Sequence, residues 1–450
     1  MPEERGVHRN AMPAAETRLA SRLPESVRSD RLLSATLGAA VGHARSGRRR
    51  LDALHAELLE AAVAHRAPAR DTPTGARHFQ RFLAATARDI HRVVSAAVAD
   101  DRALTVRLRS VGSGYGIPAR ERDRINRRAL ADDIDRVTGA RTAVGAAEMA
   151  RYHNALQVRD GLAAASGAGP VLLLGYDPEA FDGRGRAVIA IGDPDVADNT
   201  TVLVPGAGSS VRDGYLSHPD ALHLYREAVD ADPGRTDSVI VWMGYRAPDG
   251  LLDPAVMRPA AARAGARLLA ADVNTLAGTH RGRSHLTVIG HSYGSTTVAD
   301  AAAGFGMAVD DVVLVGSPGT DLARDATAFH LPAGGHVYVG AASSDPITGL
   351  AGDPQLRMPG GSTTIGLGGD PAADGYGSTR FKAELPGIAA PFTGHNSYFD
   401  PGGESLFSIG DIASGHGDAL AEHHMTALHR RRLPAFDPER LRPGTGAHRH

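Results

Sequence analysis

Apolar positions along the chain follow two rhythms, and the change comes near residue 165. Before it they recur at three- and four-residue spacing among Arg, Ala and Asp: Leu51, Leu54, Leu58 and Ala62 in one stretch, Phe79, Phe82, Leu83, Ile90, Val93, Val94 and Ala97 in another. That spacing lays one apolar stripe along a helix. Pro68 and Pro73 separate the two, and "GSGYGIPARERDRINRRALADDIDRV" reads as a Gly/Pro turn followed by a third helix with Ile125, Ala129, Ile134 and Val137 on one face. After residue 165 come short, continuous apolar runs bounded by Gly, Pro, Asp and Asn: "PVLLLGY", "RAVIAIGD", "TVLVPGAG", "SVIVWMGY", "LTVIGHS", "DVVLVGSPG" and "HVYVGAASSDP". Runs without alternation predict strands buried on both faces. Helical segments over 218–229, 255–278 and 295–303 lie between them, so the pattern predicts a mostly parallel sheet with helices on both faces. The expected organisation is a helical N-terminal region over 1–165, an α/β domain over 166–435 and a flexible C-terminal tail over 436–450.

Composition narrows what such a molecule does. A length of 450 residues allows a large core plus a satellite region. The formal net charge of -2 gives no broad electrostatic footprint for nucleic acid or an anionic membrane. With no cysteine, disulfides, thiol catalysis and thiolate metal sites are excluded. The first thirty residues lack an apolar signal-peptide core, and no stretch approaches the ~18 apolar residues of a membrane span, so a soluble, cytoplasmic protein is expected.

One ten-residue stretch carries the chemistry. "VIGHSYGSTT" places Gly290-His291-Ser292-Tyr293-Gly294, a G-x-S-x-G sequence, at the end of a predicted strand (286–289) and the start of a predicted helix. A nucleophile elbow has this context: a strained turn lifts the serine Oγ above the sheet, and the flanking glycines leave room where strand and helix approach closely.

With this motif the chain resembles an actinobacterial α/β-hydrolase family long catalogued as a domain of unknown function. The resemblance rests on "GHSYGSTT", the upstream "VLVPGAGSS", "SSDPI" after a later strand and "GHNSYFDP" near the end, over roughly residues 165–415, with "GIPARERDRINR" resembling the family's N-terminal half. It implies an α/β-hydrolase fold and a Ser-Asp-His triad, and names no substrate.

The residues lead to the same triad. A serine hydroxyl attacks only when an imidazole takes its proton, and a carboxylate must hold that imidazole in one tautomer. In this fold the order is Ser, acid, His. Asp345, just past the strand in "HVYVGAASSDPI", is the expected acid, with Asp321 and Asp325 as rivals after the preceding strand. His395, in the loop between "TRFKAEL" and the helical "ESLFSIGDIA", is the expected base. The oxyanion hole is expected from the backbone amides of Tyr293 and of Ala207 in "VPGAGSS", with Gly208 as a second candidate for the latter. His291 is expected to line the pocket and contact substrate or to pack beneath the sheet edge, and not to act as the base; Tyr398 is expected to contact substrate, with core packing competing for that role.

No cofactor or metal is expected. "PGAG" lacks both the full G-x-G-x-x-G and the G-K-[ST] of phosphate loops, and "EHHMTALH" lacks H-E-x-x-H. The long Gly/Pro-rich stretch 350–378 between acid and base is expected to overhang the site. The leading reading is a hydrolase of small-molecule carboxylic esters acting through an acyl-enzyme. A peptidase or thioesterase would use the same residues. Two competing readings make the chain a catalytically weak scaffold whose N-terminal helices bind a protein partner, or an independent helical interaction module joined to the hydrolase. For the Arg/Asp-rich helical charges a solvated face is the simpler expectation.

Overall fold

In the computed structural model the described residues are 47–61, 80–90, 92–93, 117–139, 144–352, 355–358, 361–364, 367–386, 393–432, 435–442, 444–445 and 447–450. Ala62, Pro68, Pro73, Phe79, Val94, Ala97 and the turn over 112–116 lie outside them. The chain divides into two compact units, Met1–Gly116 and Ile117–His450. In the first, helices α1 (47–61) and α2 (80–90) stand where the apolar spacing predicts them.

The second unit runs α3 (Ala119–Thr138), α4 (Ala146–Ala164), β1 (Val171–Asp177), α5 (Ala180–Gly183), β2 (Arg186–Ile191), β3 (Asn199–Val204), α6 (Asp220–Ala231), β4 (Asp237–Met243), α7 (Ala260–Thr279), β5 (His285–His291), α8 (Tyr293–Phe305), β6 (Asp311–Val315), β7 (Val337–Gly340), β8 (Gln355–Met358), β9 (Gly361–Thr364), β10 (Thr379–Phe381), α9 (Thr393–Asn396), α10 (Glu404–Ala413), β11 (Arg431–Arg432) and β12 (Ala435–Phe436). Eight strands form one sheet in the order β1-β2-β4-β3-β5-β6-β7-β10. β2 is antiparallel to both β1 and β4, and every other pairing in this sheet is parallel.

Continuous apolar runs arise here because alternate residues of each strand feed opposite cores. Val202 and Val204, Ile240 and Trp242, Val288, and Val312 and Leu314 pack with α7 and α8 through Leu269, Val273, Val298 and Ala302. The intervening Leu203, Val239, Val241, Ile289 and Val313 pack with α4, α6 and α10 through Val158, Leu224, Leu406 and Ile409. A helix-covered parallel sheet leaves its chemistry to the C-terminal strand ends. The register Val204↔Gly290 and His291↔Val315↔Gly340 brings the loops after β3, β5, β6 and β7 to one edge.

The expected boundary at 165 is corrected, because α3 and α4 belong to the α/β unit. β1 is an edge strand, and its unpaired backbone groups need partners. α3 supplies them: Arg122, Asn126 and Arg127 donate to the carbonyls of Leu174, Leu173 and Val171 at 3.0, 2.8 and 2.7 Å, and Asp123 accepts from the Leu173 amide at 2.6 Å. Part of the Arg/Asp pattern expected to form a solvated face is therefore spent on the sheet edge. The apolar face expected for this helix is also displaced, since Ile125 is exposed while Leu130 and Asp133 are buried.

The expected flexible tail is packed as well. Arg380, buried in edge strand β10, needs a charged partner. Asp437 provides one through contacts of 2.8 and 3.0 Å. Arg442 pairs with the buried Glu404 at 2.6 and 2.8 Å, and the His450 ring stacks on Phe407 at 3.9 Å. The stretch 350–378 is not one long overhanging loop either. β8 and β9 form a hairpin, and Leu367, Ala372, Ala373 and Tyr376 are buried in the core.

Candidate active site

Ser292 occupies the single residue between β5 and α8 with φ 55° and ψ -129°, a left-handed conformation that a non-glycine residue holds at a cost of about 1–3 kcal/mol. The surroundings enforce it. A Cβ at Gly290 would lie 2.5 Å from the Ser295 Cα, and one at Gly294 would collide with the Val204 carbonyl, so strand and helix pack this closely only with glycine on each side. The Ser292 amide donates to the Val315 carbonyl at 2.9 Å and ties the turn to β6.

Three side chains from separate loops converge on the turn. The Ser292 Oγ lies 2.9 Å from Nε2 of His395, which α9 carries. The other ring nitrogen, Nδ1, lies 2.9 and 3.1 Å from the two carboxylate oxygens of Asp345, which follows β7. All three residues are buried. Burial pushes the Asp345 carboxyl up, but hydrogen bonds from His395, from the Tyr398 hydroxyl and from the Ile347 amide outweigh it and hold the group below its ordinary value. An ionised Asp345 only accepts, so Nδ1 carries the imidazole proton and Nε2 faces the serine hydroxyl as an acceptor.

The rivals are occupied elsewhere. Asp321 pairs with Arg263 at 2.5 and 3.0 Å, and Asp325 caps the short turn Ala326–Phe329 by accepting from the Thr327 amide.

The loop after β3 lies directly over the serine, since a Cβ at Gly206 would stand 2.6 Å from the Ser292 Cβ. Among the described residues no protein acceptor takes the amides of Ala207 or Tyr293. Gly208 is corrected as a donor, because its amide already donates to the Pro248 carbonyl at 2.8 Å. Tyr245, which the strand pattern "SVIVWMGY" does not single out, braces this loop by donating to the Pro205 carbonyl at 2.7 Å. Its one signal in the sequence is a tyrosine closing a buried strand.

Two residues expected to touch substrate make their contacts with Asp345 and His395. Tyr398 is buried, donates to Asp345 Oδ2 at 2.8 Å and accepts from the Ala342 amide at 3.1 Å, so its polar atom is fully engaged inside the protein. His291 packs beside the His395 ring at 4.9 Å and its Nε2 donates to the His395 carbonyl at 2.7 Å. Burial, and then the neighbouring His395, push its pKa down to about 4, which leaves it neutral. Among the described residues no group of three or more His, Asp or Glu could hold a metal ion. None of their helices is long and apolar enough to cross a membrane.

Known proteins resemble the chain in segments. Residues 177–355 match the family described as Alpha/beta hydrolase, and residues 5–120 match a domain of unknown function, DUF4226. The uncharacterized protein Rv2079 of Mycobacterium tuberculosis is 43% identical over 380 residues, 76% of this chain and 57% of that protein. The chain thus spans little more than half the length of that relative. The uncharacterized protein MT0028 of the same species is 38% identical over 120 residues, 27% of this chain and 100% of its own length. Among solved structures, the esterase LipW from Mycobacterium marinum aligns over 63% of this chain and 93% of its own at 18% identity and a TM-score of 0.32. The carboxylesterase EstE1 aligns over 60% and 98% at 16% identity and a TM-score of 0.34. The sheet order and the turn at Ser292 are those of the α/β-hydrolase fold, and over residues 177–355 the chain is similar in sequence to the α/β-hydrolase family.

Proposed function

We propose that the protein is a serine hydrolase of carboxylic esters, with Ser292 as nucleophile, His395 as general base and acid, and Asp345 as the carboxylate that orients the imidazole. The observation that carries this reading is the unbroken line of 2.9 Å contacts from Ser292 Oγ through His395 to Asp345. Neutral His395 takes the hydroxyl proton as Ser292 Oγ bonds to the ester carbonyl carbon. Charge gathers on the carbonyl oxygen, where the amides of Tyr293 and Ala207 donate; one such donor is worth roughly 10²–10³ in kcat. His395 then protonates the leaving alcohol as the C–O bond breaks, and the reverse sequence with water frees the acid and restores the serine.

Hydrolysis of short nitrophenyl esters tests the assignment. Ser292→Ala and His395→Ala abolish it, and Asp345→Asn lowers kcat by up to ~10⁴ by misorienting the imidazole. Asp321→Asn and Asp325→Asn stay near wild type. Because every group invoked is a side chain or amide, activity persists after dialysis against EDTA. An active Asp345→Asn beside an inactive Asp321→Asn, or activity lost to EDTA and restored by zinc, contradicts the assignment.

A further inference from the structure

The loop over Ser292 and the loop that carries Asp345 border different surroundings. The loop after β4 closes on the Ala207 loop: the Gly250 Cα lies 3.9 Å from where a Cβ on Gly208 would stand. That loop presents apolar side chains to solvent, with Leu252 99% and Leu251 46% exposed. On the Asp345 side opens a cleft of about 1410 Å³, whose wall includes Asp345 itself, Pro259, Thr348 and the Leu367–Asp370 segment.

The charges in this cleft do not balance. Each of its carboxylates already has a cation or imidazole of its own: Asp321 has Arg263, Asp345 has His395, Asp370 has Arg430, and Asp437 has Arg380 and Arg430. Three further lining residues, Arg324, Arg431 and Arg440, are exposed, and among the described residues no carboxylate pairs with them. Set against the one charge that Asp345 keeps beside a neutral His395, three guanidinium groups unpaired among the described residues leave this cleft with an excess of positive charge in a molecule of formal net charge -2. Guanidinium groups hold carboxylate and phosphate oxygens by charge-assisted, often bidentate hydrogen bonds, and a cleft lined by one sign of charge raises the local concentration of the opposite sign.

Resting on the serine-hydrolase reading, we propose that the ester taken by Ser292 carries an anionic group, a carboxylate or phosphate, which Arg324, Arg431 and Arg440 seat while the acyl carbonyl meets the serine. The substrate is then an acidic ester rather than a neutral one. The arginines bind and orient; they take no part in bond making.

Two pairs of nitrophenyl esters test this with the full chain. In one pair the acyl chain ends in a carboxylate or in its methyl ester; in the other it ends in a phosphate or in its dimethyl ester. At low ionic strength the wild type favours the charged member of at least one pair by about tenfold in kcat/KM, the effect residing in KM, and the pair that shows it names the anion. The preference fades as salt shortens the screening length. The triple variant Arg324→Gln/Arg431→Gln/Arg440→Gln loses the preference while retaining the wild-type rate on the neutral ester, which also reports that it is folded. In the wild type, inorganic phosphate raises KM for the charged ester and leaves the neutral ester unaffected. Equal kcat/KM within both pairs for the wild type, or a preference unchanged in the triple variant, overturns the proposal while the serine-hydrolase reading stands. A folded wild type that cleaves no ester, charged or neutral, overturns both.

Discussion

Tyr398 places its hydroxyl against the buried carboxylate of Asp345, and the balance of that contact can be read from pH. Burial, then the charge of Asp345, push the tyrosine well above its ordinary value, so it remains a hydroxyl donor at every working pH. Its hydrogen bond is one of those that hold Asp345 below the ordinary carboxylate range. The lowered value has a definite sign. The stability tied to ionised Asp345 is present above the carboxyl's unfolded value of about 3.9 and is lost as pH falls through the folded one. Tyr398→Phe removes one donor, raises the Asp345 carboxyl and moves the acid limb of kcat/KM to higher pH. A purely structural effect would lower the rate at every pH without moving the limb. At this scale the sequence was legible where motif and chain order pick out residues that the fold brings into contact, as with Ser292, Asp345 and His395. It was opaque where a role depends on which atom points where. "GHNSYFDP" puts Tyr398 three residues from His395 but carries no sign that its hydroxyl turns inward to the acid. Nor could "VPGAG" reveal that the Gly208 amide is taken by Pro248 while that of Ala207 is not.

Among elements, the strand runs were the most legible because a parallel sheet covered on both faces demands apolar side chains at every position. β3 and β4 are buried at each residue, and the predicted "TVLVPGAG" and "SVIVWMGY" contain most of each. The packed face of helix α3 was read least well, since its contacts with β1 are made by Arg, Asp and Asn, which an apolar period does not reveal. Helix α8, which follows Ser292, holds a different departure from pattern: Asp300, fully buried, with Oδ1 accepting from the Leu322 amide at 3.0 Å and Oδ2 without a hydrogen-bond partner. Burial pushes its pKa up to about 7. A raised carboxyl contributes stability that is full below its unfolded value of about 3.9 and is lost as pH rises through the folded value. Asp300→Asn removes that dependence. Its melting temperature relative to wild type therefore climbs between pH 4 and pH 7 and levels off above. A difference that stays constant across this range would show that Asp300 does not titrate with folding.

For the whole molecule, the change of hydrophobic rhythm near residue 165 was real, but it marks the first strand and not a domain boundary. The compact unit starts at Ile117, close to residue 120 where the DUF4226 match ends. The physical reason is the open edge of β1, which a helix upstream of the first strand must satisfy. A protein beginning at Ile117 therefore stays monomeric and folded in size-exclusion and thermal-unfolding measurements. One beginning at Ala165 exposes the β1 edge and the apolar surface under α4, and aggregates. Equal solubility of the two truncated proteins would show that α3 and α4 are dispensable. The C-terminal segment misleads in the same way. "RPGTGAHRH" has the composition of a linker, yet Glu404 and Arg380 are buried charges whose partners, Arg442 and Asp437, lie in the expected tail. Composition reports what a segment could do alone; a buried charge elsewhere decides where it goes.

Covalent capture tests whether Ser292 is a nucleophile made reactive by His395. An activated serine attacks phosphorus as it attacks a carbonyl, so a fluorophosphonate probe adds one label to the wild type, located on Ser292 by peptide mass. Labelling requires the imidazole to take the serine proton, so Ser292→Ala and His395→Ala abolish it. A folded wild type that takes up no probe between mildly acidic and mildly alkaline pH, or a label that persists in Ser292→Ala, would contradict the account.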